Sequence, residues 1–131
     1  MEASITLKKV GKLIGDKTIL AGLSFGIERG SLVAIVGLND SGKSTLLKLL
    51  SGYENPNYGQ VFIQGLDMNK RRNETRKLLG YVSFENDLDP WLTLKQNIEF
   101  YARLYSVQKC DYEERLKKYS EALHLNAYLN Q

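Results

Sequence analysis

Residues Gly37 to Thr45 read GLNDSGKST, and the fold follows from that stretch together with the runs on either side of it. The spacing fits G-x-x-x-x-G-K-[ST], a phosphate-binding loop. Gly37 and Gly42 permit backbone angles and close approaches that a Cβ would block, so consecutive N–H groups can turn inward as an anion nest. Lys43 brings a positive charge to the β- and γ-phosphates, and Ser44 offers a hydroxyl to Mg²⁺. The first turn of the helix that follows adds unpaired N–H groups and the positive end of its dipole. Together these imply a triphosphate ligand.

The flanks agree with that reading. Ser31 to Val36, SLVAIV, is β-rich and continuously apolar, which predicts a strand buried on both faces. Ser44 to Leu50, STLLKLL, has helical apolar spacing and is closed by Gly52.

With 131 residues, 43% hydrophobic and 25% charged, the chain has the composition of a soluble globular protein with one core. No apolar run approaches membrane-spanning length. The start, MEASITLKK, lacks the apolar segment of a secretory signal, and the single cysteine, Cys110, cannot form an internal disulfide. A cytoplasmic chain is implied. The net charge of +3 is mild, and the basic clusters Lys8, Lys9, Lys12 and Lys70, Arg71, Arg72 are short. They read as solvated surface rather than as a nucleic-acid stripe, so no nucleic acid is expected.

Elsewhere, Ser4 to Val10 alternates as a half-buried strand, and Ile19 to Ile27 does the same with Leu23, Phe25 and Ile27 on one face. Gly15-Asp16 and Arg29-Gly30 are the turns. Gln60 to Gln64 predicts a short strand, Asn73 to Leu79 a short basic helix and Gly80 to Phe84 another strand. From Thr93 onward Leu94, Ile98, Tyr101, Leu104 and Tyr105 recur at helical spacing, as do Leu116, Tyr119, Ala122 and Leu123 within Glu113 to Leu125. The tyrosines are expected in the core.

In order as well as content the chain resembles the N-terminal part of an ATP-binding-cassette (ABC) transporter ATPase domain. The resemblance is carried by ITLKKV, then TILAGLSFGIERGSLVAIVGLNDSGKSTLLKLLSG, YGQVFIQG and LGYVSFENDLDPWLTLKQNIEFYARLY. It implies an α/β phosphate-loop NTPase fold of the ABC type, incomplete. Residues 1–90 would form the antiparallel β subdomain and the phosphate-loop half of a parallel core sheet, and residues 91–131 the start of an α-helical subdomain. The implied ligands are ATP and Mg²⁺. Lys43 would hold the β- and γ-phosphates and stabilise the transition state, and Ser44 would ligate Mg²⁺. Thr45 and the loop residues Gly37, Leu38, Asn39, Asp40, Ser41 and Gly42 would complete the nucleotide contacts. A membrane-spanning transporter subunit would dock on the Phe84 to Phe100 region at the cytoplasmic face, and a second ATPase domain would pair head to tail. Asn97 to Val107, NIEFYARLYSV, is most similar to exporters of the family.

Three positions depart from the family pattern. Ile14 stands where relatives stack an aromatic residue on adenine, which forfeits a stacking contribution of roughly 1 kcal/mol. Phe84 stands where a glutamine reaches Mg²⁺ and the attacking water, leaving Glu85 to substitute or to be a solvated loop residue. Asp40 replaces a loop glycine; aspartate tolerates positive φ, but its charge opposes the phosphates.

These residues contain no glycine-rich signature and no strand ending in an aspartate–glutamate pair. His124, on the helical pattern, reads as a partly exposed helix residue rather than the family's switch histidine. Only the phosphate-cradling side of the reaction is encoded, so the chain alone is expected to bind nucleotide without hydrolysing it. In relatives, later strands lie between the phosphate-loop strand and the Gly80 to Phe84 strand; without them long apolar edges stay unpaired. A nucleotide-binding module without turnover, and a soluble ABC-type ATPase acting on ribosomes or DNA, are the alternatives. No Asn-Lys-x-Asp motif supports a guanine nucleotide switch.

Overall fold

The structure, a computed structural model, describes residues 3–83 and 88–131. The chain divides into two compact units, Met1–Tyr81 and Val82–Gln131.

The first unit is built on a four-stranded antiparallel sheet of β1 (Ala3–Ile14), β2 (Lys17–Glu28), β3 (Tyr58–Ile63) and β4 (Leu66–Asp67), in the order β2-β1-β3-β4. In β1 the alternation Ile5, Leu7 would next bring Lys9 inward. Instead Lys9 takes φ 49°, and the register slips by one residue between Leu7↔Phe25 and Val10↔Leu23. That bulge re-aims the strand, so Leu7 and Val10 are both buried while Lys8 and Lys9 remain outside.

Two helices complete the unit, α1 (Lys43–Leu50) and α2 (Arg72–Lys77). The buried face of α1 is Leu46, Leu49 and Leu50, three- and four-residue spacing on one side of a helix. It packs with Leu7, Val10, Leu20, Val61, Ile63 and Met68 in one core. Burying each such side chain is worth about 1.5–3 kcal/mol, and this cluster holds α1 on the sheet. Thr75 is fully buried in α2, its hydroxyl donating to the Arg71 and Arg72 carbonyls. The connection after α1 is pinned by the Lys12 ammonium, which meets Glu54 at 3.0 Å and the Asn55 carbonyl at 2.9 Å.

The second unit contains α3 (Leu94–Leu104), α4 (Lys109–Ala122) and a 3-10 turn, Asn126–Tyr128. Thr93 starts α3 through a reciprocal capping box: its hydroxyl accepts from the Gln96 N–H, and the Gln96 side chain accepts from the Thr93 N–H. Two further N–H groups of that first turn, Leu94 and Lys95, donate to the Gln131 and Leu129 carbonyls. Asn97 is buried, with its amide nitrogen donating to the Asp89, Leu92 and Thr93 carbonyls. Its oxygen accepts from the Asp89 N–H, so one side chain holds the loop before α3.

Several expectations are corrected. Ser31 to Val36 is not a strand, nor are residues 80–83; Phe84 lies outside the described residues. Leu32 and Val36 are 101% and 91% exposed, because a strand exists only through a neighbour's hydrogen bonds and none is supplied here among the described residues. Tyr105, Tyr119, Leu104 and Leu123 are exposed rather than core, since two helices cover only the flank where they touch. His124 is not in a helix; it follows α4 at φ 55°, in the turn that ends it.

Candidate functional site

The loop before α1 is shaped by its own backbone. Asp40 adopts φ 60°, the left-handed conformation that aspartate tolerates, and the Ser41 N–H donates to the Leu38 carbonyl at 3.3 Å. Gly42 follows at φ 88° as the residue preceding the helix, and its carbonyl accepts the first helical hydrogen bond, from the Leu46 N–H at 2.8 Å. A Cβ on Gly42 would lie 2.9 Å from Leu20 Cδ2 and 3.1 Å from Ile19 Cγ2; one on Gly37 would lie 2.8 Å from Ser41 Oγ. Only glycine lets the loop pass this close to β2.

No side chain caps α1 and no acidic residue stands in its first turn. Its N-terminal N–H groups and the positive end of its dipole are therefore presented outward, as an anion site requires. The Lys43 ammonium folds back beside them, donating to the Gly37 and Leu38 carbonyls at 2.9 and 2.6 Å, with Ser41 Oγ at 3.5 Å. Ser44 is exposed in the first helical turn and Thr45 half-buried.

A depression of about 240 Å³ is enclosed by residues 40–45 on one side and by Lys17 and Ile19 of β2 on the other. Of the positions singled out in the sequence, it brings together Asp40, Ser41, Gly42, Lys43, Ser44 and Thr45. Gly37, Leu38 and Asn39 shape the loop behind it. Ile14 is 57% exposed at the end of β1 and pairs with Lys17 across the hairpin, outside that lining. Lys17 and Ile19 were not among the site residues read in the sequence, where Ile19 served only as the start of a strand. The register shifts at Ile19, between Lys12↔Leu20 and Leu13↔Thr18, and nothing local says that this bulged end of β2 meets the loop.

The donor set fits a phosphate chain. For Mg²⁺ it supplies the Ser44 hydroxyl, and among the described residues no group of three or more His, Cys, Asp or Glu side chains could hold a metal ion. A magnesium ion here would draw most of its ligands from phosphate oxygens and water, as that ion commonly does.

Phe84 and Glu85 lie outside the described residues. Within the rest of the Phe84 to Phe100 stretch, Trp91 is 91% exposed, and Leu88, Leu92 and Phe100 are exposed as well. No helix among the described residues is long and apolar enough to cross a membrane.

Comparison with known proteins shows the family and the fold. The profile of the ABC transporter family matches residues 20–131. The probable multidrug ABC transporter ATP-binding protein YbhF of Escherichia coli (strain K12) is 30% identical over 126 residues, covering 96% of this chain and 22% of that protein. The sulfate/thiosulfate import ATP-binding protein CysA of Gloeobacter violaceus is 34% identical over 125 residues, covering 95% of this chain and 36% of that protein. The chain thus spans about a third or less of those relatives' length. Among solved structures, the ATP binding subunit of an ABC transporter superposes with a TM-score of 0.88 at 27% identity, over 97% of this chain and 53% of that one. The dimeric, post-hydrolysis ATP-binding cassette MJ0796, bound to ADP and Pi, does so with a TM-score of 0.79 at 28% identity, over 97% of this chain and 60% of that one. The chain belongs to the ABC transporter family, and its fold is part of that family's phosphate-loop ATPase.

Proposed function

We propose that this chain is the nucleotide-binding part of an ATPase that drives a substrate through a membrane-spanning partner by binding and hydrolysing ATP. The observation that carries the proposal is the uncapped start of α1 with Lys43, Ser44 and Thr45 around one depression. Lys43 would hold the β- and γ-phosphates, the N–H groups from Asn39 to Thr45 the α- and β-phosphates, and Ser44 the Mg²⁺. ATP with Mg²⁺ supplies the phosphoryl group whose hydrolysis powers the movement.

In-line attack on the γ-phosphate needs a positioned water and charge stabilisation on both sides. The residues of this chain supply the cradle side, so the chain alone binds without turnover. The partner surface is the exposed apolar stretch around Trp91 and Leu92, at the cytoplasmic face of a membrane. MJ0796 is a dimer of cassettes, which supports pairing with a second ATPase domain. NIEFYARLYSV favours export, although the relatives above include both a multidrug and a sulfate-import protein.

The test is Mg-ATP binding to the purified chain by calorimetry, beside Lys43→Ala, with phosphate release followed in the same samples. Saturable binding that Lys43→Ala abolishes, without phosphate release, is the expected result. Undiminished binding by Lys43→Ala would overturn the site, and Lys43-dependent release would overturn the division between binding and turnover. The Asp40 carboxylate in the lining favours one second reading, a nucleotide-binding module that never turns over.

A further inference from the structure

We infer that Lys17 is a second cationic contact for the phosphate chain, placed on β2 to offset the Asp40 carboxylate and to make the site favour the more highly charged nucleotides. This rests on the nucleotide reading above and goes beyond it, to a residue outside the phosphate loop.

The residues that line the depression include two lysines, Lys17 and Lys43, and one aspartate, Asp40. They are not equally available. Lys43 already donates to the Gly37 and Leu38 carbonyls at 2.9 and 2.6 Å, so part of its charge is spent on the loop that carries it. Lys17 is exposed, and no ion pair or hydrogen bond of its side chain is found among the described residues. It is the readier of the two cations.

Geometry directs it to the same ligand. Both Lys17 and Ile19 line the depression; the register shift between Lys12↔Leu20 and Leu13↔Thr18 makes Ile19 the extra residue of a bulge, which re-aims that end of β2. Ile19 is anchored there by the close approach of Gly42, where a Cβ would come within 3.1 Å of Ile19 Cγ2. Lys17, two residues nearer the hairpin, stands at the rim opposite the loop. Lys17 lines the depression together with loop residues 40–45, whereas its cross-strand partner Ile14 lies outside that lining. Lys17 thus stands between the phosphate loop and the Ile14 end of the hairpin, within reach of the phosphate chain.

Asp40 explains why a second cation matters. A carboxylate in the lining opposes every phosphate added to the ligand, and a facing ammonium cancels that cost. The benefit grows with ligand charge and shrinks with salt.

The experiment measures binding of Mg-ATP, Mg-ADP and adenosine to the whole chain and to Lys17→Ala, Lys17→Arg, Asp40→Asn and the Lys17→Ala/Asp40→Asn pair, at low and high salt. Lys17→Ala should weaken Mg-ATP about fivefold at low salt, the upper end for an exposed charge pair, Mg-ADP less, and adenosine not at all. Lys17→Arg should stay within about twofold of the parent chain, which also shows that the hairpin still folds. Asp40→Asn should tighten Mg-ATP and the double substitution should return to within about twofold of the parent chain, as two offsetting charges on one ligand require; a double variant as weak as Lys17→Ala alone would overturn the opposing role of Asp40. Equal weakening of adenosine and ATP, or no weakening of ATP, would overturn the role of Lys17. Lys43→Ala run alongside separates the two ideas: if it abolishes binding while Lys17→Ala changes nothing, only the Lys17 inference fails. If the parent chain binds no ATP, or Lys43→Ala binds it undiminished, the nucleotide reading fails and takes this inference with it.

Discussion

The ammonium of Lys43 donates to the carbonyl of Leu38 at 2.6 Å and to that of Gly37 at 2.9 Å, so the first residue of α1 clasps the backbone just upstream of its own helix. Each such bond to a charged donor is worth about 1.5–3 kcal/mol when well formed, less in solvent. Lys43→Ala should therefore loosen the loop more than the fold. Amide exchange over residues 38–42 should quicken about tenfold, while the unfolding free energy from urea titration falls by less than about 1 kcal/mol. A midpoint shift with no local change in exchange would contradict this.

Gly42 and Gly15 make a controlled pair. Both have positive φ, 88° and 57°, but a Cβ on Gly42 meets Leu20 and Ile19 within 3.2 Å, whereas one on Gly15 meets nothing within 4 Å. Gly15→Ala should cost about 1 kcal/mol, the left-handed conformation alone. Gly42→Ala adds the collision and should cost about 2–3 kcal/mol. Urea denaturation reads both, and equal costs would remove the close approach from the account.

Helices α3 and α4 end alike. The Val107 and Leu125 N–H groups donate back to the Ala102 and Ser120 carbonyls, and those of Ser106 and His124 to the Arg103 and Glu121 carbonyls. That pair of bonds needs a left-handed residue, supplied by Ser106 at φ 56° and His124 at φ 55°. Glycine adopts this conformation without the Cβ penalty. Ser106→Gly and His124→Gly should each raise stability by about 0.5–1 kcal/mol, seen as a higher melting temperature. Destabilisation by either would show that its side chain contributes something the backbone does not.

Tyr112 carries a buried hydroxyl with no hydrogen-bond partner among the described residues. Burial pushes its pKa above the ordinary 10.0, and the neighbouring Glu99 carboxylate adds to that shift. A raised folded-state value means the neutral phenol suits the fold better than the phenolate does. This contribution is complete below pH 10 and is lost as pH climbs through the folded value. Tyr112→Phe removes an unsatisfied polar atom and should leave stability at pH 7 unchanged or higher by about 1 kcal/mol. It should also flatten the decline above pH 10. A steeper alkaline decline in the variant would reverse the assignment.

Much of the site was legible because its determinants are local. GLNDSGKST specifies its own turn through two glycines and an aspartate, and the spacing of Leu46, Leu49 and Leu50 specifies a helix whose face must be buried. The start of α3 near Thr93 was legible from the change to helical apolar spacing, but the Thr93–Gln96 capping box that fixes it was not read. The bulge at Lys9 was not legible, because it answers to the demand that Leu7 and Val10 both reach a core built from β3 and α1. Nor was the exposure of Tyr105 and Tyr119, since helical spacing marks an apolar stripe without saying how much of it a neighbour covers.

The sequence by itself determined the turn at GLNDSGKST, the helix behind it and the place of Lys43 at that helix's first residue, all matters of covalent geometry within a few residues. Tertiary structure alone decided that SLVAIV, as apolar as any strand, stands without strand pairing among the described residues. It alone placed Lys17 and Ile19 opposite the loop. The reason is common to both: a strand and the facing wall of a site are made by partners distant in the chain, and a run of residues cannot encode the neighbour it meets.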